Sequence, residues 1–149
     1  MSAAIIIPTY NERENLRELI EDILALGLPS SLWIIVVDDH SPDGTGEVAD
    51  ALAAEHPEVQ VIHRAGKLGL GTAYTTGFRR ALALGAERIL TMDADFSHLP
   101  SYIPSLLAAS QHSDLSIGSR YVPGGGVRHW GIGRRLLSWG ANTLARLVL

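Results

Sequence analysis

The fold is decided by the segment AAIIIPTYNERENLRELIEDILALG, residues 3–27 of the 149-residue chain. It starts with an apolar run over Ala3–Pro8, which has the length of a buried strand. Asn11 is then a predicted helix N-cap, with Glu14 three residues later, and apolar residues recur at helical spacing as far as Gly27. A buried strand followed by an amphipathic helix is the repeating unit of α/β proteins.

The same alternation continues along the chain. Apolar runs predict four further strands, at 32–37, 59–64, 88–92 and 115–119. Helical spacing predicts three further helices in this part of the chain, at 45–55, at 72–84 and through Leu106 and Leu107. Pro104 falls in the first turn of the last of these helices, where its missing N–H costs little. Because the strands are continuous apolar runs, we predict an α/β fold with a Rossmann-like, doubly wound and mainly parallel sheet.

Composition indicates a globular chain. Hydrophobic residues make up 46% of the sequence and charged residues 19%, so there is ample apolar surface for a core. The absence of cysteine excludes a disulfide framework and a thiolate nucleophile, and leaves oxygen and imidazole as metal ligands. The sequence has neither a signal-peptide pattern nor a transmembrane run of about 18 apolar residues, which predicts a cytoplasmic chain whose membrane contact is peripheral.

A Pro/Gly-rich stretch at 123–126 divides the chain into a body, 1–122, and a tail, 123–149, with a Gly-rich loop and an amphipathic helix. Residues 120–149 contain five arginines and no acid, which suits a phosphate or an anionic surface, although a solvated basic face gives the same pattern. Trp130 and Trp139 among these arginines suit a membrane interface. The net charge of −4 argues against nucleic acid as a partner.

Polar side chains stand at the end of each predicted strand, where doubly wound sheets bind their ligands. They are Pro8–Glu12, Asp38 with Asp39, His63 with Arg64, Asp93 with Asp95, and Gly118–Arg120. Carboxylates gathered at neighbouring strand ends repel one another unless a cation or hydrogen-bond donors are present. Asp93 and Asp95 project to one side of an extended backbone and can share one divalent ion, and Mg²⁺ or Mn²⁺ so bound accepts phosphate oxygens as further ligands. The strand ends therefore predict a metal-assisted anion site.

Two glycine-rich segments invite a nucleotide interpretation that we do not follow. GKLGLG, residues 66–71, lacks the order of a Walker A motif, and we interpret it as a strand-to-helix turn with Arg64 and Lys67 near an anion. GTGEVA, residues 44–49, matches a dinucleotide fingerprint, but the acids of 38–43 would repel a pyrophosphate. We interpret 38–44 as a loop that caps the next helix.

Taken together, the motifs resemble those of family 2 glycosyltransferases of the GT-A fold, and within them the polyprenol-phosphate (dolichol-phosphate) mannose synthases. The motifs that carry the resemblance are PTYNE (8–12), VDDHSPDGT (37–45), GLGTA (69–73), MDADFSH (92–98) and GSRY (118–121). They span nearly the whole chain and occur in the order found in the family. The resemblance implies that 1–122 is a nucleotide-sugar-binding catalytic domain and that 123–149 is an acceptor and interface segment. Family members continue beyond the position of Leu149, so we expect this chain to be a fragment.

The resemblance also implies roles for individual residues. The residues implied to hold the nucleoside of a GDP-sugar are Pro8, Tyr10, Glu12 and Asp39. Asp93 and Asp95 are implied to act in catalysis on the metal and the diphosphate, with Asp93 also counted among the nucleotide ligands and Ser97 at the third metal position. The residues implied to hold the acceptor phosphate are Arg120, Arg134 and Ser138, with Arg120 also catalytic.

The implied reaction is transfer of mannose from GDP-mannose to a polyprenyl or dolichyl phosphate, with inversion and with Mg²⁺ or Mn²⁺. A phosphomonoester with a second pKa near 6 is already an ionised nucleophile at neutral pH, so no general base is needed. Such an enzyme would work peripherally at the cytoplasmic face of a membrane.

Three alternatives stay open at this point. One is glucosyl transfer from UDP-glucose to the same lipid phosphate. Another is a haloacid-dehalogenase-like phosphatase with Asp93 as nucleophile and Asp95 as acid/base, although that motif normally follows the first strand of the fold. The third is a nucleotide-binding chain without turnover.

Overall fold

A computed structural model of the chain describes residues 2–28, 31–119, 122 and 131–148, without the side chains of 134–136 and 146. The first part of the chain alternates strands and helices: β1 (Ala3–Thr9), α1 (Arg13–Ala25), β2 (Leu32–Asp38), α2 (Thr45–Glu55), β3 (Val59–His63), α3 (Leu70–Ala83) and β4 (Arg88–Thr91). A 3₁₀ turn at Pro100–Tyr102 leads into α4 (Ile103–Ala109), and α5 spans Ile132–Val148. Pro104 lies in the first turn of α4, as its position in the sequence predicts.

The four strands form one parallel sheet in the order β3-β2-β1-β4. In the register of this sheet Thr9 pairs with Asp38, and Asp38 pairs with His63. The carboxyl ends of β1, β2 and β3 therefore lie side by side at one edge. This arrangement confirms the predicted parallel α/β sheet and brings the polar residues after the strands together.

Helices cover both faces of the sheet, as a doubly wound fold requires. Against one face, α1, α2 and α4 pack large side chains such as Leu16, Ile20 and Leu52. Against the other face, α3 packs mainly small residues, including Ala73 and Ala81. A Cβ atom added at Gly77 of α3 would lie 2.4 Å from Ile6 Cγ2 of β1, so this helix approaches the sheet at a distance that only glycine allows.

The prediction that Asn11 caps α1 is wrong. The helix begins at Arg13, with Glu12 as its N-cap and no side-chain cap hydrogen bond, and Asn11 has a positive φ of 62°. The loop between β2 and α2 and the first residue of α2 supply the acceptors instead. Asp43 Oδ2 accepts from the N–H of Arg13, and Thr45 Oγ1 accepts from the N–H of Glu12. A tertiary contact thus satisfies donors that the sequence pattern assigned to a local cap.

The predicted fifth strand at 115–119 is also not observed, because these residues form no strand ladder. Leu115 and Ile117 are each 75% exposed. The segment has only two apolar residues, alternating with Ser116 and Gly118, and so gives a weaker strand signal than the continuous runs of β1 and β2.

The chain divides into two compact units, Met1–Ser116 and Ile117–Leu149. The sequence-based division into 1–122 and 123–149 assigns functions to the two parts and stays a prediction. Of the helices in the described parts of the chain, none combines the length and the apolar character needed to cross a membrane.

Candidate functional site

The ends of β1 and β2 form a buried polar network around Asp38. Its Oδ1 accepts hydrogen bonds from the hydroxyls of Thr9, at 3.0 Å, and Ser41, at 2.5 Å, while Oδ2 accepts from the N–H of Ser41 at 3.1 Å. The side chains of Thr9 and Asp38 are buried. Asp38, the last residue of β2, therefore shapes the loop of 39–44 that leads to the predicted helix start.

Capping of α2 is completed by Asp43, whose Oδ1 accepts from the N–H and the hydroxyl of Thr45. Burial raises the pKa of Asp43, whereas the hydrogen bonds from Thr45 and from the backbone of Arg13 lower it. Together these hydrogen bonds outweigh burial, so the net shift of the pKa is downward. Gly44, with a φ of 90°, provides the left-handed turn into the helix. The segment that matches a dinucleotide fingerprint thus forms the N-terminus of α2.

Asp39 follows Asp38 and is paired with Arg64 at the end of β3. Arg64 Nη1 lies 2.7 Å from Asp39 Oδ1, and the side chains of the two residues are only 7% and 8% exposed. Arg64 also donates to the carbonyl of Gly69 and to the hydroxyl of Thr72, at the start of α3. The guanidinium is thus bound to an anion of the protein itself.

The other residues implied to hold a nucleoside lie at the same edge of the sheet. Pro8 is part of β1 opposite Val37, and Tyr10, which follows this strand, is 37% exposed. Lys67 Nζ stands 3.9 Å from the centroid of the Tyr10 ring, a cation–π distance. Glu12 Oε2 accepts from the side-chain amide of Asn15 at 2.8 Å.

The second acidic pair follows β4 and is far more open. Asp93 Oδ1 accepts a hydrogen bond of 3.0 Å from the hydroxyl of Tyr74 on α3. His98 Nδ1 accepts from the N–H of Asp93 at 3.3 Å and lies 3.8 Å from its Oδ2. Asp95 is exposed, and its Oδ1 accepts from the N–H of Ser97 at 2.9 Å. The structure thus forms two separate pairs after β4, Asp93 with His98 and Asp95 with Ser97.

Protonation in this region follows from the contacts. Burial, together with the negative charge of Asp93, raises the pKa of Tyr74 to about 12, so its hydroxyl keeps the proton that it donates. Hydrogen bonds from the side chain and backbone of Ser97 lower the pKa of Asp95. Asp95 is therefore an anion at neutral pH.

The donor set after β4 fits a hard divalent cation. No three His, Asp or Glu side chains converge as a metal cage within the residues that the structure describes. Mg²⁺ is usually held by one or two carboxylates together with waters and substrate phosphates rather than by a cage of protein groups. Two carboxylates and the hydroxyl of Ser97, next to solvent, are a donor set of that kind.

The residues implied to hold an acceptor phosphate lie in the C-terminal part of the chain. Arg120 lies outside the described residues, and of Arg134 only the backbone, in α5, is described. Ser138 is a partly buried residue of the same helix. These three assignments stay predictions.

Sequence reasoning missed two contributors to the site, Thr9 and Tyr74. Thr9 was visible as a polar residue at a strand end but had no assigned task. Tyr74 lies inside a helix, where a single aromatic residue in a predicted core face gives no signal of a polar role. The prediction that Arg64 and Lys67 lie near a bound anion stays a prediction, since Arg64 is paired with Asp39 and Lys67 lies over the Tyr10 ring.

The four-strand parallel sheet with its polar carboxyl edge is that of a doubly wound α/β domain, and its likeness to solved glycosyltransferases identifies the class as the GT-A fold. The domain resembles a mannosyltransferase from Pyrobaculum calidifontis solved with GDP-Man and Mn²⁺, with a TM-score of 0.57 and 30% identity, over 62% of this chain and 27% of that one. It also has the fold of residues 1–349 of S. aureus TarS, with a TM-score of 0.62 and 23% identity, over 83% of this chain and 38% of that one.

The chain belongs to glycosyl transferase family 2, whose sequence profile matches residues 4–147. A polyprenol monophosphomannose synthase of Mycolicibacterium smegmatis is 52% identical over 97% of this chain. An undecaprenyl-phosphate mannosyltransferase of Micrococcus luteus is 48% identical, and a dolichol-phosphate mannosyltransferase of Pyrococcus furiosus is 45% identical, each over 100% of this chain. The chain spans 55%, 60% and 42% of the lengths of these three relatives, respectively.

Proposed function

We propose that this chain carries the donor site and the acceptor-phosphate residues of an enzyme that transfers mannose from GDP-mannose to a polyprenyl phosphate, with inversion and with Mg²⁺ or Mn²⁺. The observation that carries the proposal is the pair of acidic clusters on one sheet edge, the buried one after β2 and the open one after β4. Only β1 lies between them, which puts them roughly 10 Å apart in a sheet with the usual strand spacing. That separation suits a nucleoside at one cluster and its diphosphate at the other.

The nucleoside would lie at the β1–β2 end. Tyr10 offers a partly exposed ring for stacking, and the cation of Lys67 above this ring adds positive charge to the nucleoside end of an anionic ligand. Asp39 would accept hydrogen bonds from the base or the ribose. Pro8 and Glu12 would complete this side of the pocket.

The diphosphate would lie at the β4 end, where Asp93 and Asp95 would hold Mg²⁺ or Mn²⁺. When bound, such an ion neutralises negative charge on the departing diphosphate. The chain's own contribution is to hold the two carboxylates in place, Asp93 through Tyr74 and Asp95 through Ser97. The presence of Mn²⁺ with GDP-Man in the Pyrobaculum calidifontis structure supports this assignment.

The acceptor needs no general base, because a phosphate monoester is ionised at neutral pH. Its oxygen would attack the sugar carbon from the side opposite the diphosphate, so the new bond has inverted configuration. Arg120, Arg134 and Ser138 would hold the acceptor phosphate, since cations reduce the repulsion between two anionic reactants. Arg134 and Ser138 are four residues apart in α5, which puts them on one side of a helix.

The lipid of the acceptor implies contact with a membrane surface, which would be peripheral and on the cytoplasmic side. Large apolar side chains of α5 are exposed, among them Leu137, Trp139 and Leu144. An amphipathic helix with a basic face and an apolar face can lie in a membrane interface. Nucleic acid has no part in this proposal, in keeping with the net charge of −4.

The test is a panel of GDP-mannose and UDP-glucose with polyprenyl phosphate and either Mg²⁺ or Mn²⁺, run on this chain and on a longer one. We expect mannosyl-lipid from GDP-mannose only, and no product after chelation of the metal. Product from UDP-glucose alone would replace mannose by glucose in the proposal. Phosphate release from simple esters would favour a phosphatase.

The acceptor assignment has its own test. In the longer chain, Arg134→Ala should raise the KM for lipid phosphate and lower kcat, while GDP affinity changes by less than about twofold. Arg134→Lys should restore part of the loss, because lysine supplies charge without the guanidinium fork. Arg79→Ala, an exposed arginine of α3, is the matched control. Acceptor kinetics that do not change in Arg134→Ala would remove α5 from the active site.

A further inference from the structure

We propose that Arg64 is a positioning residue for nucleotide binding: its guanidinium fixes the carboxylate of Asp39 and ties it to the loop that opens α3. The inference rests on the proposed function, since it takes Asp39 as a ligand of the nucleoside. It adds a residue at the end of β3 whose effect on the nucleotide passes through Asp39.

The pair is buried and short. The distance from Arg64 Nη1 to Asp39 Oδ1 is 2.7 Å, and both side chains are less than a tenth exposed. In such surroundings an ion pair is weakly screened, and loss of one partner leaves an uncompensated charge. The carboxylate of Asp39 is therefore held strongly in one orientation.

The backbone at both positions is fixed by other bonds. The N–H of Asp39 donates to the carbonyl of Thr9 at 3.0 Å, and the N–H of Arg64 donates to the carbonyl of Asp38 at 2.8 Å. These bonds extend the ladders of the sheet beyond the ends of the strands. What the ion pair controls is hence the direction of the Asp39 side chain rather than the path of the chain.

The rest of the guanidinium reaches the loop before α3. Nη1 also donates to the carbonyl of Gly69 at 3.4 Å, and Nη2 donates to the hydroxyl of Thr72. Thr72 Oγ1 in turn donates to the carbonyls of Leu68 and Gly69. One planar fork thus joins the end of β2 to the start of α3, which the single ammonium of a lysine cannot do with the same geometry.

This linkage has a consequence for binding. A carboxylate held at Oδ1 presents Oδ2 in one direction, so the ligand does not have to order it. The same loop carries Lys67 above the Tyr10 ring. Arg64 therefore orients Asp39 and anchors the segment that carries Lys67.

A double-mutant cycle tests the proposal, with GDP affinity in Mn²⁺ measured by calorimetry. The four proteins are the parent 149-residue chain, Arg64→Lys, Asp39→Asn and the double variant. We expect Arg64→Lys to weaken GDP binding about tenfold in the parent, the size of one hydrogen bond to a charged group. In the Asp39→Asn background the same change should weaken it by less than about twofold, because the residue acts through Asp39.

The outcomes separate this inference from the function on which it rests. Equal loss from Arg64→Lys in both backgrounds would overturn it, since a purely structural role does not depend on Asp39. Unchanged affinity in Arg64→Lys, with a loss in Asp39→Asn, would overturn the inference and leave the nucleoside assignment intact. Unchanged affinity in Asp39→Asn alone would overturn the nucleoside assignment and this inference with it.

Two further variants control for folding. Thr72→Val removes the hydroxyl that accepts the hydrogen bond from Arg64 Nη2. It should weaken GDP binding a few-fold in the parent but not in the Asp39→Asn background, whereas Thr72→Ser should bind GDP as the parent does. Arg80→Lys is a matched substitution at an exposed arginine of α3 whose Nε donates to Gln60 Oε1. It should leave GDP affinity unchanged, and melting temperatures of all variants are measured alongside. If Arg64→Lys does not fold, unchanged GDP affinity in Thr72→Val would overturn the proposal.

Discussion

The two acidic clusters at the carboxyl edge of the sheet differ in how much the protein itself satisfies them. After β2, Asp38 and Asp39 are buried and accept hydrogen bonds from Thr9, Ser41 and Arg64. After β4, the side chain of Asp93 is 43% exposed and Asp95 is exposed as well. The carboxylates of the first cluster are thus bonded to donors of the protein itself, whereas those of the second are open to solvent and can bind a cation.

Because of this difference, we expect one cluster to matter mainly for folding and the other mainly for ligand binding. A buried carboxylate with several donors contributes to folding, because its removal leaves those donors unpaired. An exposed carboxylate with one or two donors contributes little to folding and much to binding of a charged ligand. Substitution of Asp38 should therefore lower stability, and substitutions after β4 should lower affinity at constant stability.

The strongest contrast is expected from Asp95→Ala. Loss of one charged ligand leaves diphosphate charge uncompensated and should weaken Mn²⁺-dependent GDP binding by roughly a hundredfold or more. The melting temperature should stay within about 2 °C of the parent, because Asp95 is exposed and its hydrogen bonds in the described part of the chain support the turn at Ser97. Calorimetry and thermal melts, with the exposed Asp114→Ala as control, measure both quantities. Unchanged GDP affinity in Mn²⁺ would remove Asp95 from the metal site.

The converse pattern is expected from Asp38→Asn. The amide that replaces the carboxylate can accept from the hydroxyls of Thr9 and Ser41 or from the N–H of Ser41, but not from both sides at once. We expect the free energy of unfolding to fall by about 1–3 kcal/mol in urea titrations. Asp22→Asn, at an exposed position of α1, should change it by less than about 0.5 kcal/mol. Equal stability of the two variants would contradict the structural role of Asp38.

A smaller effect is expected from Tyr74→Phe, which removes the hydroxyl that donates to Asp93 Oδ1 and keeps the ring stacked on Phe78. Because Asp93 is partly exposed, we expect a loss of about three- to tenfold in GDP affinity in Mn²⁺. GDP affinity without metal should not change. Tyr102→Phe, at a 59% exposed position, is the control. A loss of the same size without metal would mean that Tyr74 acts on the pocket in general rather than on Asp93.

The smallest effect concerns protonation. Ser97→Ala removes a side-chain hydrogen bond that lowers the pKa of Asp95 below its ordinary value of 3.8, so the pKa should rise toward that value. A carboxyl with a depressed pKa in the folded state stabilises the protein above pH 3.8, and this contribution is lost as the pH falls through the folded-state pKa. As the pH falls below about 4, the free energy of unfolding should therefore decrease less in the variant than in the parent. NMR titration of Asp95 measures the shift, and an unchanged pKa would contradict it.

The sequence predicted the sheet and the neighbourhood of the site for one physical reason. Buried parallel strands are continuous apolar runs, so β1 and β2 are visible in the sequence, and α2 has the predicted bounds of Thr45–Glu55. Since parallel strands end at one edge, the acids after β2 and β4 had to share that edge. No knowledge of side-chain conformation was needed for this step.

The pairings within the site required the tertiary structure. Arg64 reaches Asp39 because β3 lies next to β2, and Tyr74 reaches Asp93 because α3 crosses the sheet toward β4. The first contact depends on which strands are neighbours and the second on where a crossover helix lies, and both depend on which way a long side chain turns. The error at Asn11 has the same origin, because the acceptors for α1 come from residues about 30 positions further along the chain.

The close approach of α3 to β1 has a consequence for how this family can vary. Gly77 and Ile6 compete for a single volume, since a methyl group on the first would stand 2.4 Å from a methyl group of the second. Thr72, which accepts a hydrogen bond from the Arg64 guanidinium, lies five residues earlier on the same helix. A larger residue at position 77 would lift that end of the helix from the sheet unless position 6 became smaller. Homologous sequences should therefore covary at these two positions, with alanine or serine at 77 accompanied by valine or alanine at 6.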